Sequence, residues 1–234
     1  MTDDISEHYA ELLGAVESPK DERDYRFSTL LTPEQQEVVL PSSWVAPPIP
    51  PNLKQKGGTC VGFSSTAMRL SAQKRDLGAW LPLDPYNLYK EAKKRDGLPP
   101  GVEGSTVRAS MRALREYGQL LVGNRGNPVK NRVASYYAVA RDYDELRRAI
   151  KFYGGVVIAT PWYAEWLKPG RNGVLPEPRN QIGGHAIYAL GWGERGLLLR
   201  NSWGREWGIT GNCFLPAEYV PDIWEAWRTI DQKG

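Results

Sequence analysis

Apolar positions recur at helical spacing in five stretches and then switch to a strand-like pattern. Over residues 4–16, Ile5, Tyr9, Leu12, Leu13 and Val16 share one face, with Asp4 as cap and Glu7 completing a capping-box pattern. A second helix starts near Cys60, where Gly57 and Gly58 allow a sharp turn and Thr59 offers a cap, and continues through Ala67, Met68 and Leu70 toward Lys74. A third has Asp84 as cap and Pro85 in its first turn, and ends at Asp96-Gly97. A fourth runs from Ser105 to Tyr117 on an inner face of Val107, Met111 and Leu114, with Gly118 as its stop. The fifth runs from Asp142 to Tyr153, with Glu145 in the capping-box position and Gly154-Gly155 at its end. Strands follow at Val156–Thr160, His185–Trp192, Gly196–Ser202 and Asn212–Leu215.

Helices first and strands later predict an α+β protein with a helical part and a sheet part. The run from Pro41 to Pro51 fits neither a helix nor a central strand and reads as an extended lead-in. It divides the chain into an N-terminal extension, residues 1–40, and a main domain, residues 41–234. Charge sharpens this division. The first 40 residues hold ten acidic against three basic side chains, while the whole chain is at +3. An acidic leader on a basic body can fold back on that body or meet a protein partner.

Two cysteines and two histidines are too few for a disulfide framework or a zinc site, so no metal or cofactor is expected. The N-terminus lacks the basic start and apolar core of a secretory signal, and no apolar run approaches membrane-spanning length. The expectation is a cytoplasmic protein with no membrane partner. The basic runs Lys90 to Arg95 and Arg108 to Arg115 lie on amphipathic helices and read as solvated faces, so no nucleic-acid partner is expected. Gly191-Trp-Gly193-Glu-Arg-Gly196 matches a dinucleotide fingerprint by letter. A strand follows it where that motif needs a helix, which makes it a hairpin turn.

The chemistry sits in three places. Cys60 at a helix N-terminus gains thiolate character from the helix dipole, and a neighbouring imidazolium would add to it. His185 opens one apolar strand and Asn201 closes the next, so a hairpin brings them together. An amide can fix the tautomer and the ring angle of a histidine, as the third member of a catalytic triad does. Trp203, two residues on and on the same face, can shield that hydrogen bond from water. Cys213 falls in the last strand and reads as a buried structural thiol.

Cys60 in Gly-Thr-Cys-Val-Gly-Phe, His185 in Gly-Gly-His-Ala-Ile and Asn201 in Asn-Ser-Trp-Gly-Arg-Glu-Trp-Gly resemble, in the family's order, the three signatures of the papain-like cysteine peptidases. The likeness covers residues 41 to 220. Arg23 to Phe27 resembles a lead-in of bacterial and phage members. The resemblance implies two lobes, one helical and one an antiparallel β-barrel-like lobe, with the active site in the cleft between them. It implies a polypeptide substrate cleaved through a thioester acyl-enzyme. Cys60 is then the nucleophile, His185 the acid and base, and Asn201 the group that orients His185. Gln55 and the Cys60 N–H would form the oxyanion hole. Gly104 and Ser105 would bind the substrate backbone as an added strand, Gly184 would border the specificity pocket, and Trp203 would cover the pair.

The chain departs from the family pattern in several ways. Gln55 lies one residue nearer the nucleophile than is common and is followed by Lys56 rather than glycine. Val61 stands where many members have tryptophan, and the framework disulfides of secreted members are absent. The leader is much shorter than the inhibitory propeptide of lysosomal relatives and lacks its pattern, so it is not read as a zymogen segment. Two alternatives remain at this stage. One is acyl transfer to an amine, as in a ligase or transglutaminase-like enzyme. The other is an assembly or binding module, such as a particle component, that docks through the leader helix.

Overall fold

The computed structural model of the 234-residue chain describes residues 8–123 and 131–231. The cap of the leader helix at Asp4 and Glu7 lies outside them. Five complete α-helices are seen among the described residues: α1 (Pro33–Glu37), α2 (Cys60–Leu77), α3 (Pro85–Lys93), α4 (Val107–Glu116) and α5 (Tyr143–Tyr153). Seven strands accompany them: β1 (Trp44–Val45), β2 (Val133–Ala138), β3 (Val156–Tyr163), β4 (Gln181–Gly193), β5 (Gly196–Arg200), β6 (Asn212–Leu215) and β7 (Glu225–Asp231).

The helix ends follow their caps. The Asp84 carboxylate accepts from the Tyr86 and Asn87 amides, with Pro85 at the first position. Thr106 caps α4 through the Ala109 amide, and Asp142 caps α5 through the Glu145 amide. Glu145 does not close a capping box, because its carboxylate takes the Ala140 amide instead. Thr59 is no side-chain cap either: its hydroxyl donates to the Lys56 carbonyl at 2.9 Å. That bond closes the loop before α2 and leaves the helix N-terminus open toward the cysteine.

The sheet is wholly antiparallel in the order β2-β7-β3-β4-β5-β6, with β1 added on β4. It is open rather than a closed barrel, since β2 and β6 end the path. The alternation of side chains across the sheet divides the core in two. Val157 and Ala159 of β3 and Ala186, Tyr188 and Leu190 of β4 pack toward α2 and α4. Val156, Ile158, Ile187 and Ala189 pack on the other face, toward α5 and a group of tryptophans.

The β4–β5 hairpin turns through Glu194-Arg195 between the paired Gly193 and Gly196, so the fingerprint-like stretch is a two-residue turn. Strand β4 begins at Gln181, which places His185 inside a strand rather than at its start. The leader helix is shorter than its apolar pattern predicts. Helical geometry ends at Ala10, and by Ala15 the chain is extended and bridged to Ser105. Beyond that bridge the leader folds back on the body: the Arg108 guanidinium lies 2.9 Å from the Asp24 carboxylate and 3.8 Å from that of Asp21.

Candidate active site

Three elements bring the predicted residues together. Cys60 is the first residue of α2 and fully buried, and the Ala186 amide donates to its sulfur at 3.4 Å. That amide belongs to the residue after His185, so β4 lies directly against the helix N-terminus. His185 Nε2 and Asn201 Oδ1 are 2.8 Å apart, and Asn201 Oδ1 also accepts the Ser202 amide at 2.8 Å. With the amide oxygen facing it, Nε2 carries the proton and Nδ1 is left as the basic atom. Nδ1 has no hydrogen-bond partner among the described residues.

Indoles enclose the histidine. Trp203 lies 4.8 Å from the His185 ring and Trp162 lies 4.7 Å from it, edge-on. Trp207 packs behind both. Trp162 was not singled out from sequence. It follows Pro161, which ended the expected strand at Thr160, yet Pro161 is accommodated in β3 opposite Gly184. Trp224 was also missed. Its ring closes on Gly184, where an added Cβ would meet it at 2.3 Å.

Gln55 is buried and doubly fixed. Its amide oxygen accepts from the Ser202 hydroxyl at 2.6 Å, and its backbone N–H donates to the Ser202 carbonyl at 2.8 Å. The side-chain NH2 is thereby aimed outward, donating to the carbonyls of Leu12 and Gly57, both at 2.8 Å. Gly57 takes φ = 60°, a turn that a side chain would strain, and this bends the short Gln55–Cys60 loop.

The Leu12 carbonyl belongs to the leader, which runs through the cleft. Gly14 and Ala15 amides both donate to the Gly184 carbonyl at 3.0 Å. Ser105 donates to the Gly14 carbonyl, and Val16 donates to the Ser105 carbonyl, both at 2.9 Å. The ladder with Ser105 is parallel. Gly104 holds its left-handed turn (φ = 84°) with room for nothing larger, since a Cβ there would lie 2.3 Å from the Gly14 carbonyl. Farther out, Tyr9 stacks on Trp203 at 5.0 Å. Every predicted site residue, Cys60, His185, Asn201, Gln55, Gly104, Ser105, Gly184 and Trp203, therefore lies along one cleft. The leader contacts Gln55, Ser105, Gly184 and Trp203, and its Gly14 amide faces the Cys60 sulfur.

Burial changes the expected electrostatics. Burial pushes the Cys60 thiol up to about 11, against the opposing pull of the Ala186 and Gly14 amides. Burial also pushes His185 down to about 4, against the opposing Asn201 bond. Both shifts favour a neutral thiol and a neutral imidazole over the ion pair expected from sequence. A consequence for stability follows. The unfolded histidine takes up its proton near 6.5 and the folded one resists to about 4, so acid favours unfolding across that window. The melting temperature of the intact chain should fall as pH drops from 6.5 toward 4, and His185→Gln should flatten that slope. An equally steep slope in the variant would place the effect elsewhere.

The fold is that of the papain-like peptidases, and the sequence agrees. A family profile described as papain family cysteine protease matches residues 115–217. Over that stretch the chain is similar to the papain-like cysteine peptidases. Over 57 residues, 22% of this chain and 18% of the other, it is 37% identical to an uncharacterised peptidase C1-like protein of Acanthamoeba polyphaga mimivirus. It is 26% identical to cathepsin 7 of Rattus norvegicus over 57% of this chain and 41% of that protein. The chain thus spans less than half the length of either relative. Xylellain, a cysteine protease from Xylella fastidiosa, superposes with a TM-score of 0.81 over 96% of this chain and 97% of its own. At 21% identity that likeness is one of fold. No helix among the described residues is long and apolar enough to cross a membrane.

Proposed function

We propose that this chain is a cysteine peptidase that its own N-terminal segment holds latent. The observation that carries the reading is the His185–Asn201 bond of 2.8 Å, roofed by two indoles, on the strand whose Ala186 amide meets the buried Cys60 sulfur. The basic atom of the histidine is left unpartnered among the described residues, on the strand whose next amide meets the Cys60 thiol.

In the uncovered site, Nδ1 of His185 takes the Cys60 proton, and the thiolate attacks a peptide carbonyl carbon. The oxyanion is held by the Gln55 NH2 and the Cys60 N–H at the start of α2, where loss of one donor costs about a hundredfold in rate. The imidazolium returns its proton to the leaving amine. Water then hydrolyses the thioester with His185 as base. Asn201 keeps the ring in one tautomer, and Trp203 and Trp162 keep water from that bond. A polypeptide substrate would take the backbone positions of Ser105 and Gly184 that the leader now holds.

The test is a peptidyl epoxide applied with and without displacement of the leader. Mass spectrometry should find the adduct on Cys60 only when the cleft is open. The uncovered enzyme should show a bell-shaped rate, rising as the thiolate forms and falling as the imidazolium is lost. If a small alkylating reagent modifies Cys60 in the open form while the epoxide does not, the peptidase reading fails.

A further inference from the structure

A second cavity, of about 1110 Å³, lies away from the cleft, at the C-terminal end of α2 and against β7 and α5. It contains charge that the catalytic site does not use. Arg69, Arg75, Arg132, Lys151 and Arg228 line it, against only two carboxylates, Asp76 and Asp231. Both acids are already engaged, Asp76 with Arg75 and Asp231 with Arg69.

Arg228 is the unusual member. It is 3% exposed and sits on β7, between β2 and β3. Its Nη1 donates to the Gly155 carbonyl at 3.2 Å, and its Nε has no partner. No carboxylate of the described residues forms an ion pair with it. Arg75 converges on the same spot. Its Nη1 and the Nη2 of Arg228 lie 2.9 Å and 3.6 Å from the point where a side chain on Gly154 would begin. Burial, with the neighbouring Arg75 and Arg69 charges, holds the Arg228 guanidinium down at about 10. A buried guanidinium facing a second one is costly unless an anion joins them.

We propose that this cavity binds a multiply charged oxyanion, a phosphate or diphosphate group, free or carried on a small molecule, with Arg228 and Arg75 as its central ligands. Guanidinium forks match such oxygens two at a time. The wall beside them is apolar and aromatic: Trp44, Ile150 and Phe152 line it, and Lys151 Nζ lies 3.2 Å from the Trp44 ring centre. The cavity thus has space and surface for an organic part beyond the charged group.

The probe is inorganic pyrophosphate, titrated into the full chain at constant ionic strength while calorimetry and melting are followed, with inorganic phosphate and sulfate in parallel. Saturable binding with a rising melting temperature is expected, stronger for pyrophosphate than for sulfate. Arg228→Met should weaken it about tenfold or more. Without anion, the same variant should melt no lower than the parent, because it removes a buried charge that no carboxylate of the described residues pairs. Lys151→Met, on the cavity rim, provides a second reading if Arg228→Met does not fold, and should weaken binding severalfold. Absence of saturation at millimolar pyrophosphate, or unchanged affinity in whichever variant folds, would overturn the proposal. Neither outcome bears on peptidase activity.

Discussion

Replacing Gly14 by valine should raise peptide hydrolysis about a hundredfold, which corresponds to about 3 kcal/mol of weakened closure. The reason is space. A Cβ on Gly14 would lie 2.0 Å from the Gly58 carbonyl oxygen, a backbone atom in the loop that delivers Cys60. Overpacking a fitted contact costs about 1–3 kcal/mol, and the loop cannot yield without moving Cys60. The leader is the part free to leave. Its hold is a short series of hydrogen bonds, through the amides of Gly14, Ala15 and Val16 and the carbonyls of Leu12 and Gly14, together with the Tyr9–Trp203 stack. Tyr9→Ala removes only the stack and should activate less, about tenfold or below. The assay is the initial rate on an unstructured peptide, paired with the rate of epoxide labelling. If Gly14→Val leaves both rates at the parent level, the leader does not control access, however close it lies.

The parts of this arrangement that could be read from sequence are those set by local rules. Gly57, Gly58 and Thr59 announced a turn into a helix, and the helix does begin at Cys60. The meeting of His185 and Asn201 followed from a hairpin with a two-residue turn. Its far ladder pairs Tyr188 with Arg200, which puts Asn201 opposite Ile187 and on the same face as His185. The register shift between Ala189 and Gly191, which tunes that alignment, has no local sequence signal.

What was missed depends on distant partners. Strand β7 carries Glu225, Arg228 and Asp231 among its seven residues and does not read as a strand. It nevertheless lies inside the sheet, because β2 and β3 supply ladders on both sides. The apolar face of the leader was legible at Tyr9, Leu12 and Leu13, but nothing in a linear pattern says what it covers. Leu13 packs at Gly183, whose missing side chain makes room for it. The shifts of Cys60 and His185 toward their neutral forms were equally hidden. They follow from burial, and the helix dipole alone argued for the opposite.

Cys60→Ala should reduce hydrolysis by the uncovered enzyme to background, a loss on the order of 10⁴- to 10⁶-fold, while the fold survives. The side chain is small and fully buried, and its polar contacts are weak ones to backbone amides. Truncating it costs about 1 kcal/mol of stability, which melting of the two proteins would measure. Cys213 is the matched control. It is equally buried, in β6, and burial pushes its thiol far up with no opposing amide. Cys213→Ala should therefore lower stability by a similar amount and leave the rate unchanged. The contrast between the two thiols isolates chemistry from packing, because residue type and burial are the same in both. Cys60 differs in its place: a helix N-terminus, a strand against it that carries His185, whose Nδ1 lacks a partner among the described residues, and the fixed Gln55 amide aimed into the same cleft. If Cys60→Ala retains a substantial rate, hydrolysis does not pass through a thioester on this sulfur, and the roles proposed for His185 and Asn201 fall with it.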